Sequence, residues 1–371
     1  MTNYLFGDDS HQEVITMKKL KTLGAILLAT AISTSLFVGC GKDSGIGENG
    51  TIHVFNVGDY INLDLIEKFE LESKIDIVYD VYDTNETMYQ RVSTNPGQYD
   101  IVVPSDYMVE RMIKNNMLDV LDYSNIPNIE HIDDKFRNLA YDPENKYTVP
   151  YMWGTVGIIY DADIVTEPVT SWDILWDEKY DNKNILMFDS MRDTLAVSLK
   201  RLGYSLNTVN PNEIKAAQED LIKQKEKVDP LYAGDDVKDK MINGEASIAT
   251  VWSGDAQYII SESYLNLKYV VPKEGSNKWF DSMVIPKDAP NKSGAEAFIN
   301  FLCNPENAAE NVNYIGYSTP NKGAFDLLDE EVKNNEFAYP SDATLDNCEI
   351  FIDLGDNLKL YDESWTIVTS K

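Results

Sequence analysis

Apolar and polar positions alternate over residues 51–57 (TIHVFNV) and the run stops at Gly58, which predicts a strand. Residues 63–71 then carry apolar side chains at helical spacing. A second strand is predicted over 75–81, a helix over 86–93, a third strand over 100–103 ending at Pro104, and a helix over 107–116. This strand–helix–strand rhythm predicts a parallel, doubly wound sheet. Further on, strands are predicted at 156–160, 185–188, 247–251, 269–271 and 282–285. Helices are predicted at 192–202, 212–225, 236–242, 256–261, 294–302, 306–314 and 355–368, with a short helix opened by the Ser171 cap. No internal repeat of fixed period is visible.

In an open α/β sheet, ligands gather beyond the carboxyl ends of the strands. The residues at those places are Asp59, Tyr60, Ser105, Tyr107, Ser190, Asp193, Trp252 and Asp255. They are acids, aromatics and small hydroxyls, and Arg192 is the one base among them. Converging carboxylates bind cations, and aromatic faces attract ammonium groups while packing methylene chains. Each residue also has an ordinary alternative: a loop Asp is usually a cap, and a loop Tyr usually covers a core edge. Their shared topological position favours a site for a flexible polymethylene with an ammonium at each end.

Length and composition fit this picture. The chain has 371 residues, suited to two lobes, and 62 acidic against 32 basic side chains give a formal charge of −30. Such a surface repels nucleic acid and attracts cations, although acidity also serves solubility alone. The cysteines Cys40, Cys303 and Cys348 form no CxxC pair, and the three histidines are scattered without an HExxH, so no His/Cys metal site is expected. No Walker-type loop and no GxSxG elbow is present. Neither a cofactor nor a catalytic residue is expected.

The amino-terminal segment has the layout of an export signal. Residues 17–40 (MKKLKTLGAILLATAISTSLFVGC) place Lys18, Lys19 and Lys21 before an apolar stretch. Residues 37–40 (FVGC) then resemble a bacterial lipobox with Cys40 as the lipidated residue, although Leu is the usual residue at position 37. The reading is an upstream extension over 1–16, a lipoprotein signal peptide over 17–39, and a polar tether over 40–50 (CGKDSGIGENG). Protein synthesis is expected to start at Met17.

Eight stretches resemble the spermidine/putrescine-binding proteins of bacterial ABC importers. They are 82–89 (YDTNETMY), 99–107 (YDIVVPSDY), 149–154 (VPYMWG), 199–205 (LKRLGYS), 270–275 (VVPKEG), 279–286 (WFDSMVIP), 299–306 (INFLCNPE) and 315–321 (IGYSTPN). They occur in family order along nearly the whole mature chain. The resemblance implies an α/β, two-lobed type II periplasmic-binding-protein fold, each lobe a mainly parallel sheet flanked by helices, with the ligand cleft between lobes. Lobe 1 would be 51–153 plus 279–324, and lobe 2 would be 154–278 plus 325–371.

By the same resemblance, Trp279 and Asp281 would hold one amine. Tyr60, Tyr107, Trp252 and Tyr317 would box the methylenes, Asp193 would replace a Glu at a terminal amine, and Ser105 would supply a hydroxyl. Val57 stands where a box Trp is common. Ser190 stands where the spermidine-preferring type has a further Asp, whereas Asp59 and Asp255 match acids of the putrescine-preferring type. The implied protein is an extracytoplasmic, lipid-anchored monomer that hands polyamine to an ABC transporter permease. The alternatives are a binder of another small cation or chelate, and an enzyme on the same fold with Cys303 or Cys348 as nucleophile. Against these stand the absence of a Tyr-Tyr pair and the apolar run FINFLC around Cys303.

Overall fold

Strand β1 (Thr51–Val57) is the middle of a three-stranded parallel sheet, between β2 (Asp76–Tyr82) and β3 (Ile101–Val102). The computed structural model describes residues 47–180 and 184–371. The leader, the extension and Cys40 with most of the tether lie outside the described residues. The last tether residues are already fixed, since the Asp76 N–H donates to the Gly50 carbonyl at 2.9 Å.

Each strand of the first sheet ends in a turn that starts a helix. After β1 the chain passes through Asp59 in the left-handed region (φ 53°), a conformation Asp tolerates better than most residues. Asn62 then caps helix Leu63–Ser73 by accepting from the Asp64 N–H. After β2, Thr84 and Thr87 form a capping box at helix Asn85–Thr94. After β3, Ser105 in extended conformation precedes helix Asp106–Lys114.

The thirteen-residue strand β4 (Val149–Asp161) connects the two halves of the molecule. Its first half pairs antiparallel with β9 (Lys278–Met283), whose continuation at Val284 bridges Val102 of β3. Its second half enters a sheet of order β6-β5-β7-β4-β8, made with β5 (Ile185–Phe188), β6 (Leu231–Ala233), β7 (Ile248–Trp252) and β8 (Leu267–Val270). There β5, β6 and β7 run parallel, and β4 lies antiparallel to β7 and β8. The second sheet is therefore mixed. Val156 at the start of this half pairs with Trp252 at the end of β7. So β4 enters beside the end of β7 and runs antiparallel to it.

Almost all of β4 is buried, and Gly154 marks its crossing point. A Cβ there would lie 2.5 Å from Ser253 Oγ and 2.6 Å from Trp279 Cζ2, so only glycine lets the two crossing strands approach. The carboxy-terminal helix Leu358–Ser370 packs on helices Met191–Arg201 and Pro211–Val228, with Tyr361 donating to the Thr208 carbonyl. Helix Lys322–Leu327 packs instead on helix Pro305–Ile315, and Tyr339 lies edge-on to Phe325 and Trp153. The chain meets the second sheet at Phe337, edge-on to Tyr269 of β8, and further along Glu349 bridges Asn277 just before β9.

Candidate binding cleft

The carboxyl ends of β1 and β3 meet β9 where the two sheets join, with the end of β7 beside it, and acids and aromatics collect there. Ser105 forms a β-bridge with Asp281, which brings the end of β3 onto β9. The Tyr60 hydroxyl donates to Asp281 Oδ2 at 2.7 Å across 221 residues of sequence. The other oxygen, Oδ1, is buried and has no protein partner. Burial pushes the Asp281 carboxyl up to about 6, against the pull of the Tyr60 and, more weakly, the Ser105 hydroxyls. A buried carboxylate oxygen left open in this way is an acceptor awaiting a donor.

Aromatic rings wall this acid. Tyr60 lies edge-on to Tyr317 (5.1 Å between centroids) and to Tyr151 (5.4 Å), and Trp279 lies edge-on to Tyr317 at 5.6 Å. The indole Nε1 of Trp279 is also buried without a partner. The Tyr317 hydroxyl donates to Asp255 Oδ1 at 2.8 Å, joining the segment after helix Pro305–Ile315 to the first turn of helix Ser253–Glu262, which follows β7. Burial raises the Asp255 carboxyl, while Lys238 and Tyr317 hold it down. Gly254 permits this contact, because a Cβ there would sit 2.3 Å from the Tyr317 ring.

A second group forms at the end of β5. Ser190 Oγ donates to Asp193 Oδ2 at 2.6 Å, and burial pushes that carboxyl up to about 6. Arg192 lowers it and Glu86 raises it. The Arg192 guanidinium is buried over the rings of Phe351, Tyr361 and Tyr107 and bonds Asn207 and the Ile352 carbonyl. Tyr107 donates to Glu86 at 3.1 Å. Trp252 packs its ring on Phe188 at 4.6 Å.

The sequence-predicted residues thus fall into linked groups. Asp281, Trp279, Tyr60, Tyr317, Ser105 and Asp255 form one, and Asp193, Ser190 and Tyr107 form the other. Asp59 stands apart: its side chain is 92% exposed and faces Lys238 at 3.9 Å. Val57 is half-buried against the core. Three charged neighbours were missed. Glu86 follows β2, and Asp235 and Lys238 follow β6; both places obey the same strand-end rule that found the others.

Buried metal-site geometry is not what gathers here. Among the described residues no group of three or more His, Cys, Asp or Glu is placed to hold a metal ion. Cys303 and Cys348 are free and buried, and burial pushes the Cys303 thiol up to about 12, away from nucleophilic thiolate. No described helix is long and apolar enough to cross a membrane.

Two α/β lobes joined by crossing strands, with buried acids and aromatic rings gathered at the join, are the layout of a solute-binding protein of the periplasmic type. Residues 64–338 match the model of the family described as bacterial extracellular solute-binding protein, and this chain belongs to that family. The spermidine/putrescine-binding periplasmic protein of Salmonella typhimurium is 38% identical over 318 residues, 85% of this chain and 90% of that protein. The solved spermidine/putrescine ABC transporter substrate-binding protein PotD of Streptococcus pneumoniae is 39% identical. It superimposes with a TM-score of 0.76 over 86% of this chain and 98% of its own. The TpPotD lipoprotein of Treponema pallidum is 27% identical, with a TM-score of 0.76 over 86% of this chain and 99% of its own.

Proposed function

We propose that this protein is the ligand-capturing subunit of a bacterial polyamine importer, binding putrescine and spermidine in the cleft and passing them to an ABC permease without chemical change. The observation that carries the reading is Asp281: a buried carboxylate with one oxygen unclaimed, no ion pair to Lys or Arg among the described residues, and aromatic rings around it. An ammonium satisfies that oxygen and restores the charge balance of the buried site. The faces of Trp279, Tyr60 and Tyr317 then pack the methylenes. Asp193 with Glu86, and Asp255 with Asp59, are the acids for further ammonium groups.

The names of the relatives support this ligand class. The lobes are taken as 51–153 with 279–324 and 154–278 with 325–371, and the packing of helix Lys322–Leu327 on helix Pro305–Ile315 favours a last crossing between that helix and Phe337, which meets Tyr269 of β8. Cys40 is the lipid attachment point of an extracytoplasmic, monomeric protein, in keeping with the lipoprotein character of TpPotD.

Thermal melting of the purified protein with putrescine, spermidine, thiamine and ferric ion tests the reading. The two polyamines should raise the melting temperature and the others should not. Stabilisation by thiamine or iron with no polyamine effect would replace this function with one of the alternatives.

A further inference from the structure

An ammonium group belonging to the protein lies beside exposed Asp59 and close enough to buried Asp255 for its charge to act there. Lys238 is carried by the short helix Val237–Ile242, just past β6 of the second sheet. Asp59 is on the turn after β1 of the first sheet, and Lys238 Nζ reaches it at 3.9 Å. The lysine side chain is only 19% exposed although its partner is 92% exposed. It therefore lies packed against the protein instead of extending into water, where a surface lysine usually places its head. Asp255, linked to Asp281 through the rings and hydroxyls of Tyr317 and Tyr60, feels the charges of Lys238, Asp235 and Asp59 together.

The other protein cation near the acids is arranged differently. Arg192 has its guanidinium committed to Asn207, the Ile352 carbonyl and three rings, and it forms no ion pair with Asp193 among the described residues. Asp281 has no cation beside it among the described residues. Among the described residues, of the three acidic stations only the one at Asp59 and Asp255 has a lysine ammonium placed against it.

Resting on the polyamine reading above, we propose that Lys238 is a specificity-determining residue. Its ammonium occupies the Asp59–Asp255 station, so that a diamine held by Asp281 and Asp193 is accepted, while the third ammonium of a triamine must displace it. Two like charges at one station repel, and the exposed pair to Asp59 is weak enough to be displaced, so the discrimination is graded and not absolute.

Calorimetric titration of the whole mature protein with putrescine and with spermidine tests this, using the wild type, Lys238→Met, Lys238→Gln and Lys238→Arg. The Met and Gln variants should bind spermidine about tenfold tighter, equivalent to about 1.4 kcal/mol, with putrescine within about threefold of wild type. Lys238→Arg should keep the wild-type ratio. Melting of the unliganded variants checks folding, and Gln stands in if Met does not fold. An unchanged spermidine-to-putrescine ratio in the Met and Gln variants, or equal weakening of both amines, overturns the inference while leaving polyamine binding intact. A wild type that binds neither amine overturns the polyamine reading and this inference with it.

Discussion

Replacing Asp281 with Asn separates the charge of this residue from its shape. The variant keeps an oxygen to accept from Tyr60, which is 2.7 Å away in the native protein, and loses the negative charge. Breaking a buried ammonium–carboxylate pair weakens binding by about 2–5 kcal/mol, roughly thirtyfold to several-thousandfold in Kd. Stability without ligand should move the other way. The carboxyl is held at about 6 against an ordinary 3.8, so the folded state binds its proton more tightly than the unfolded chain does. That favourable contribution is complete below the ordinary value and is lost as pH rises through about 6. At neutral pH the ionised, unliganded carboxylate is a burden of order 3 kcal/mol, the free energy that corresponds to a rise from 3.8 to about 6. Asn removes it, but leaves an amide N–H at the unpartnered oxygen's place, which costs about 1–3 kcal/mol. The expected result is an unliganded melting temperature equal to or above wild type together with a large loss of affinity for both polyamines by calorimetry. Binding within about threefold of wild type, a change of only about 0.65 kcal/mol, would refute the role given to this charge. A clearly less stable unliganded variant would refute the electrostatic reasoning.

Three further outcomes follow from the same geometry. Since Asp281 and Asp193 both sit at about 6 and must be ionised to pair with ammonium, affinity should fall as pH drops below that value, and binding near it should release protons. Calorimetry in buffers of different ionisation enthalpy measures that release, and affinity independent of pH between 5 and 8 would contradict it. Gly254→Ala places a methyl 2.3 Å from the Tyr317 ring, so it should displace Tyr317 from Asp255 and lose about 1–3 kcal/mol of stability together with polyamine affinity. A normal melting temperature and normal binding would show that the ring has room to move. Cys40→Ser should leave the protein unacylated, seen as loss of membrane association or retention of the full leader on fractionation and mass spectrometry. Normal trimming and membrane retention would remove Cys40 from that role.

Much of the architecture was legible because strands and helices alternate with clear periods. The predicted 51–57 and 185–188 coincide with β1 and β5, and most helices begin within two residues of their predicted starts. One strand escaped whole and two in part, β9 starting at Lys278, four residues before the predicted 282. β6 has three residues after Pro230, too few to show any period. The first half of β4 is buried on every side, so the alternation that marks a half-exposed strand is absent. Missing β6 concealed Lys238 and Asp235, because the strand-end rule was never applied there. The site divides in the same way. Asp59, Tyr60, Ser105, Asp193 and Asp255 follow strands and are local features. Asp281 lies within β9, and its contact with Tyr60 spans 221 residues, so only the resemblance to a family singled it out. That Asp59 faces a lysine had no signal in the sequence at all.

A crystal structure of the putrescine complex is the most direct test of the proposed cleft. One ligand nitrogen should lie within about 2.7–2.9 Å of Asp281 Oδ1, now unpartnered, with the methylenes against Trp279 and Tyr317. A ligand bound elsewhere, or in the cleft with Asp281 Oδ1 still without a donor, would contradict the account.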